Sequence, residues 1–337
     1  MKLSTNLQRF HNKTTHYLWI GLFFLIIIGV AATLYFATQQ IDYVWRWYRV
    51  PTYFVYYEDV EVMAEIEGDV DTITTTDEKA TIVVKGLDDE EEAYSVPSTE
   101  DIRVSEGDMI YPGDVLATYG EWRPGILLQG LWITLKVSVY AIVLGIIIGL
   151  FGGLARISSN PAAKWLAITY VEFIRGSPLL VQIFIWYFVL GTLINTLMAN
   201  RGLDQIPALW YGTAALAFFA GAYVTEIVRA GIQSIHRGQF EASRSLGMSY
   251  TQAMRHVILP QAMRRILPPL AGQFISLIKD SSLLGIIAVR ELTKATREVI
   301  TASLQPFELF FTCALLYLVI TFTLSMLVQY LERRLAS

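Results

Sequence analysis

Apolar positions run through this chain in long stretches rather than in the short alternating clusters of a soluble core. The first, Tyr17 to Ala37, contains no charged residue, and about 20 apolar residues are enough for a helix to cross the hydrocarbon layer. It exceeds a signal-peptide apolar core, so it is expected to remain as an uncleaved anchor. Five more crossings are predicted at about 126–154, 166–198, 209–232, 264–288 and 306–331. The second and fourth of these five are long enough to contain a broken or tilted helix. Between the first crossing and the rest the pattern changes: ATIVVKG and EDIRVSEGDMI alternate with a period of two and are punctuated by Gly and Pro. That period predicts short strands. The expected fold class is therefore an all-α polytopic membrane protein of about six transmembrane helices, with a small extracytoplasmic β-domain inserted after the first.

Composition supports the membrane reading. Of 337 residues, 54% are hydrophobic and 17% charged, and the mean hydropathy is +0.44, too apolar for a soluble globular chain. The net charge of −4 conceals a sharp division. From Glu58 to Glu121 there are 20 acidic residues against Lys79, Lys85 and Arg103, a balance of −17, whereas the remainder carries 10 acidic and 23 basic residues, a balance of +13. Such a step marks a polar domain set into a membrane-embedded frame. Solubility of an exposed domain is the simplest role for that charge; repulsion of anions or attraction of a basic partner or cationic substrate are the others. A single Cys, Cys313, excludes an intrachain disulfide framework and a zinc ribbon. His11, His16, His236 and His256 have no metal-ligand spacing, and no G-x-x-x-x-G-K-[ST] phosphate loop occurs.

Lys2, Arg9 and Lys13 precede the first span and place the N-terminus in the cytoplasm by the positive-inside rule. Six crossings then put the C-terminus there too, with 155–165 and 233–263 inside and 58–122, 199–208 and 289–305 outside. Arg156, Lys164, Arg237, Arg244, Arg255, Arg264, Arg265, Arg333 and Arg334 fall inside, as expected; Arg290, Lys294 and Arg297 fall outside, beside Glu291 and Glu298. The resulting division is 1–40 for the N-terminus and extra helix, 41–57 for an aromatic segment, 58–122 for the acidic β-domain and 123–337 for the membrane core. Eight aromatics between Tyr43 and Tyr57 suit the headgroup level, where rings are half buried and their polar tips wetted; a docking surface for another protein is the other reading.

The loop 233–263 carries GQFEASRSLGMSYTQAMRHVILPQAMRRILPPL from Gly238 onward. A short helix over Gln239–Leu246 is expected, broken at Gly247 by a left-handed turn, then an amphipathic stretch ending at Pro260. Small residues at Ala242 and Ser243 would let a groove on a partner protein approach closely. This loop resembles the EAA loop of the integral-membrane permeases of bacterial ABC importers: Glu241, Ala242, Ser243 and Gly247 match E-A-A-x3-G with Ser for the second Ala, and Ile258, Leu259 and Pro260 supply the second half without the intervening residue. GLWITLKVSVYAIVLGIIIGLFGGLARIS, YVEFIRGSPLLVQIFIWYFVL, AFFAGAYVTEIVRAGI and SLIKDSSLLGIIAV are similar to the polar amino-acid (histidine/glutamine/glutamate-type) subfamily, over about 125–337.

That resemblance implies a five-helix permease core in the bacterial inner membrane, a cytoplasmic ATPase dimer docking on the EAA loop, a second permease subunit (a copy or a paralogue) and an extracytoplasmic amino-acid-binding protein. The chain would bind no cofactor and do no covalent chemistry; ATP and Mg would be used by the partner ATPase, and nucleic acid has no part. A secondary transporter and a membrane sensor with an acidic outer domain are the alternatives, and neither gives a cytosolic docking helix a purpose. The stretch IRVSEGDMIYPGDVLATYG also resembles the Gly-Asp turns of lipoyl/biotinyl-like barrel-sandwich domains, implying shape and no prosthetic group.

Ionisable groups inside spans are costly and are functional candidates. Glu172 with Arg175, and Glu226 with Arg229, stand at i,i+3, the spacing of a structural ion pair; lining the translocation path is the other reading. Lys279 and Asp280 are adjacent, so on a helix they point about 100° apart. Gly176, Ser177 and Pro178 predict a break that frees backbone groups for an amino acid's carboxylate or ammonium. Gly145, Gly149 and Gly153 predict close helix packing.

Overall fold

The computed structural model describes residues 13–76, 79–86, 90–97 and 101–336. The basic residues Lys2 and Arg9, on which the N-terminal orientation rests, lie outside them, as does His11. The chain divides into two compact units between Tyr48 and Arg49.

In the first unit, helix α1 (Lys13–Gln40) is apolar on all sides and exposed along most of its length, as expected of a helix whose solvent is lipid. It ends in a hook: the Trp45 ring N–H donates to Thr38 Oγ1 at 3.1 Å, and the Trp45 and Trp47 rings stack at 5.8 Å.

A tight helical turn, Trp47–Tyr53, spans the boundary, and the second unit opens within it at Arg49. The aromatic segment is not wholly interfacial. Tyr53 and Phe54 pack on Leu127, Leu292 and Leu309 at the head of the helical bundle, where the Gly125 N–H, at the entry to α2, donates to Phe54 O at 2.6 Å. Seven strands follow among the described residues: β1 (Val55–Met63), β2 (Gly68–Thr75), β3 (Lys79–Gly86), β4 (Glu91–Pro97), β5 (Asp101–Ile102), β6 (Met109–Ile110) and β7 (Val115–Pro124). They form two sheets, ordered β1-β7-β5 and β4-β3-β2-β6. The period of two does its work on β3, where Ala80, Ile82 and Val84 point into a core shared with Leu116 and Ala117 of β7. Two turns have the same construction. In Ser105–Asp108 and Tyr111–Asp114 the glycine takes φ of 88° and 98°, and the aspartate carboxylate accepts the backbone N–H three residues earlier, at 2.7 and 2.8 Å.

The bundle comprises α2 (Ile126–Ile157), α3 (Pro161–Arg175), α4 (Leu179–Phe184), a π-helical turn continuing into α5 (Thr192–Ala199), α6 (Ala208–Gln233), α7 (Arg237–Ser245), α8 (Tyr250–Ala253), α9 (Leu259–Asp280), α10 (Leu292–Ser303) and α11 (Pro306–Ala336). Six helices among the described residues are long and apolar enough to span a bilayer: 16–40, 126–157, 179–199, 208–233, 250–287 and 306–330. Helix α6 is the buried centre. Gly145, Gly149 and Gly153 of α2 lie against Ala220, Val224 and Val228 of α6, each pair one turn beyond the last, and a Cβ on any of the three would overlap the facing side chain. The expected close packing is thus between α2 and α6.

Two boundaries differ from expectation. The third crossing starts at Leu179, because the chain breaks at Gly176–Pro178 and α3 stands as a separate amphipathic helix. The amphipathic stretch after Gly247 does not end at Pro260. From Tyr250 it continues unbroken through a π-helical turn, Met254–Ile258, into the fifth span. The π-turn bonds Leu259 N–H to Met254 O, widening the helix just ahead of a residue that has no N–H and would press its ring on the carbonyl four residues back.

Candidate functional site

The loop helix α7 is fixed at both ends by local hydrogen bonds. At its start His236 Nδ1 accepts the Gly238 N–H at 3.1 Å. At its end the Gly247 N–H donates to Arg244 O at 3.0 Å and the Met248 N–H to Ser243 O at 3.2 Å. These are the two bonds of a Schellman closure. Gly247 sits at φ 82° with nothing near its missing Cβ, the left-handed turn anticipated from the sequence. Ser249 and Gln252 then start α8 with a reciprocal capping box.

Burial divides the motif residues. Glu241 and Ala242 are exposed, as are Gly247 and Pro260, and Leu259 is half-buried. Ser243 is only 3% exposed and its hydroxyl donates to Phe240 O at 2.7 Å; Ile258 is buried beside Phe240 and Met254. Ser243 and Ile258 therefore offer no surface and serve to seat α7. Leu246, which the motif does not feature, is 83% exposed and stands at the tip with Gly247. An open groove of about 670 Å³ runs beside α7, lined by Gln233, His236, Phe240, Glu241 and Tyr250.

At the same end of the bundle, Glu226 is held twice. Arg229 donates to Oε2 from Nε at 3.0 Å and from NH2 at 2.8 Å, and Arg156 of α2 donates to Oε1 from both Nε and NH2 at 2.9 Å. The expected i,i+3 pair exists, with a third member that sequence spacing does not reveal. The expected Glu172–Arg175 pair does not form. Arg175 ends α3 at the break, and its guanidinium instead lies over the Tyr223 ring, 5.2 Å from the centroid.

The break at Gly176, Ser177 and Pro178 is repaired by a residue that sequence reading missed. Pro178 has no N–H for Ile174 O. The buried Gln182 side chain supplies the donor: its Nε2 bonds Ile174 O at 2.7 Å and Ser177 O at 3.1 Å. Ser177 Oγ donates back to Phe173 O at 3.0 Å. A lone amide four residues after a proline in an apolar run was the available signal. The freed backbone is thus largely occupied internally.

Lys279 and Asp280 diverge, as adjacent helical residues must. Lys279 lines a cavity of about 290 Å³ with Ser282, Thr293, Cys313 and Tyr317, whereas Asp280 is absent from that lining and its carboxylate makes no hydrogen bond or salt bridge among the described residues. Beside this cavity lies Glu291, fully buried as the N-cap of α10. Its carboxylate accepts the Thr293 and Lys294 N–H groups at 2.7 and 2.8 Å and the Tyr317 hydroxyl at 3.1 Å. Burial pushes its pKa up, against these three donors. Leu292 N–H, next in line, donates to Thr134 Oγ1 of α2 at 3.0 Å.

The family model for the binding-protein-dependent transport system inner membrane component matches residues 141–337. The chain belongs to that family. The glutamine transport system permease protein GlnP of Escherichia coli (strain K12) is 39% identical over 209 residues, covering 62% of this chain and 92% of that one. The L-cystine transport system permease protein TcyB of Bacillus subtilis (strain 168) is 38% identical over 211 residues, 62% and 86% respectively. Among solved structures, an amino acid ABC transporter with histidines is 41% identical with TM-score 0.56, covering 62% of this chain and 94% of that one. The MetNI methionine ABC transporter, at 20% identity and TM-score 0.53, shares the fold. The chain is accordingly an inner-membrane permease subunit of an ABC importer, which moves a solute rather than transforming one. Helix α1, the aromatic segment and the β-domain precede the matched residues.

Proposed function

We propose that this permease imports polar amino acids, driven by a separate ATPase that docks on α7. Relatives of closely similar identity named for glutamine, L-cystine and glutamate/aspartate support the cargo class: their shared feature is the α-amino acid group, not the side chain. The observation that carries the coupling role is the exposed Glu241–Ala242–Leu246 surface of a helix rigidly closed at Gly247. A rigid helix at the end of the bundle transmits a push; a mobile loop would absorb it. ATP with Mg is used in the partner, whose closure biases the bundle between inward- and outward-facing states. In this reading α7 and both termini are cytoplasmic, the β-domain is extracytoplasmic, and an extracytoplasmic amino-acid-binding protein delivers the cargo. A second permease subunit, a copy or a paralogue, completes the pathway. Lys279 and Asp280 near the opposite end of the bundle are the cargo-path residues this reading favours.

The test is co-purification of tagged permease in mild detergent, comparing wild type with the Glu241→Lys, Gly247→Asp double variant. An ATPase retained by wild type and lost from the still-folded variant supports the assignment, and stimulation of its ATP hydrolysis by individual amino acids then identifies the cargo. A stable wild-type permease with no ATPase, or a variant that retains it fully, refutes the docking role of α7.

A further inference from the structure

Charge is unbalanced around the Glu226 cluster. An open cavity of about 500 Å³ between the ends of α3, α6 and α9 is lined by Arg175, Tyr223, Glu226, Arg229, Arg265 and Pro269. With Arg156 behind it, four guanidiniums face one carboxylate, and that carboxylate is fully engaged by Arg156 and Arg229. Glu172, the nearest acid along α3, forms no ion pair among the described residues. Among the described residues Arg175 has only the Tyr223 ring, and Arg265 only the Ser234 carbonyl, to which NH1 donates at 2.6 Å. Two guanidiniums therefore converge on one cavity with most of their donors unused. Planar forks of this kind recognise oxyanions with two parallel bonds.

Two anions suit such a place: the phosphodiester of a membrane lipid or the carboxylate of passing cargo. Helix α3 decides between them. Its outward face presents Trp165, Leu166 and Phe173 at 67, 73 and 66% exposure, which is tolerable against acyl chains and not in a water-filled path. The cavity also lies at the end of the bundle next to α7, where a basic pocket between membrane helices meets lipid headgroups. We propose that the Arg175–Arg265 cavity binds the phosphodiester headgroup of an anionic phospholipid from the leaflet on the α7 side. The lipid neutralises the surplus charge and ties α3 to the α6–α9 pair that carries the coupling loop. This assignment does not depend on the nature of the cargo, so it stands or falls separately from the import reading.

The experiment uses the full chain in nanodiscs of phosphatidylcholine alone or with one third phosphatidylglycerol, reading lipid retention by native mass spectrometry and thermal stability in parallel. Wild type is expected to retain phosphatidylglycerol over phosphatidylcholine. In Arg175→Gln, Arg265→Gln that enrichment falls roughly 25-fold, each guanidinium near the surface contributing about fivefold. Arg175→Lys, which keeps the charge but not the planar fork, loses less of it than Arg175→Gln and guards against loss through misfolding. Inorganic phosphate and glutamine are the competing probes: neither should raise the melting temperature of wild type in phosphatidylcholine as phosphatidylglycerol does. Equal retention of the two lipids, unchanged enrichment in the double variant, or protection by phosphate or glutamine that requires Arg175 and Arg265 overturns the proposal.

Discussion

Replacing Gln182 tests whether the break in the third crossing is held by one amide. Gln182 Nε2 is the donor for two carbonyls, Ile174 O and Ser177 O, of which the first was deprived of its partner by Pro178. In Gln182→Leu both lose that donor inside the bundle, at about 1–3 kcal/mol for each buried group left unsatisfied. The substitution also removes Oε1, which is buried without a partner, and this returns about the value of one such group. The net loss is therefore about 1–3 kcal/mol. Gln182→Glu keeps the shape but turns a second acceptor toward the same oxygens, so it must lose more than Leu does. Gln182→Asn is too short to reach Ile174 O and should behave like Leu. The assay is thermal unfolding of detergent-solubilised protein, read by the fraction remaining monodisperse after heating. The order wild type, then Leu and Asn, then Glu is expected. Finding Leu as stable as wild type, or Glu no worse than Leu, would show that the break is held by packing alone.

Gly149→Leu should abolish correctly folded protein on size exclusion, since a Cβ there overlaps Val224 and overpacking costs about 1–3 kcal/mol or more; Gly272→Ala, with nothing within 4 Å of its Cβ, should behave as wild type. Glu226→Gln leaves Arg156 and Arg229, whose side chains are 15 and 31% exposed, without their carboxylate, and partial solvent screening limits the expected loss to about 1–2 kcal/mol by thermal unfolding. Glu291→Ala removes an N-cap and the Tyr317 partner together, for about 2–4 kcal/mol. Because burial raises the Glu291 pKa in the folded state, its titration contributes stability that is full below the ordinary carboxylate pKa and is lost as pH rises through the raised value. Melting curves between pH 4 and 8 should show this slope in wild type and not in Glu291→Gln.

The features legible in the sequence are those whose cause is local. Gly247 announces a left-handed turn because any other residue would be strained there, and Pro178 announces a break because its N–H is missing wherever it sits in a helix. The glycines at 145, 149 and 153 repeat every turn, so they mark a close-packing face without saying whose. The features that were not legible depend on partners far along the chain. Arg156 reaches Glu226 across 70 positions, and Leu292 N–H finds Thr134 across 158. Glu291 looked like one of two acids balancing an outer loop, although its carboxylate is a buried cap. The continuity of α8 into the fifth span was hidden for a different reason: proline normally ends a helix, yet this one passes Pro260 through a π-turn and carries Pro268 and Pro269 in its interior.

The two acid–base pairs show how tertiary context separates identical spacings. Glu172–Arg175 and Glu226–Arg229 read alike at i,i+3, and on isolated helices each would gain only a few tenths of a kcal/mol. Glu226 lies in mid-helix on α6, against the α2 face that its glycines bring close, so Arg156 arrives to complete a triad with both carboxylate oxygens occupied. Arg175 is the last residue of α3, where the helix stops and no further turn holds its side chain back toward Glu172. It swings onto Tyr223 and leaves its guanidinium edge facing the cavity. The same helix break that opens the third crossing therefore creates the unpaired cation, and the site at Arg175 and Arg265 follows from the break rather than from any charge motif in the sequence.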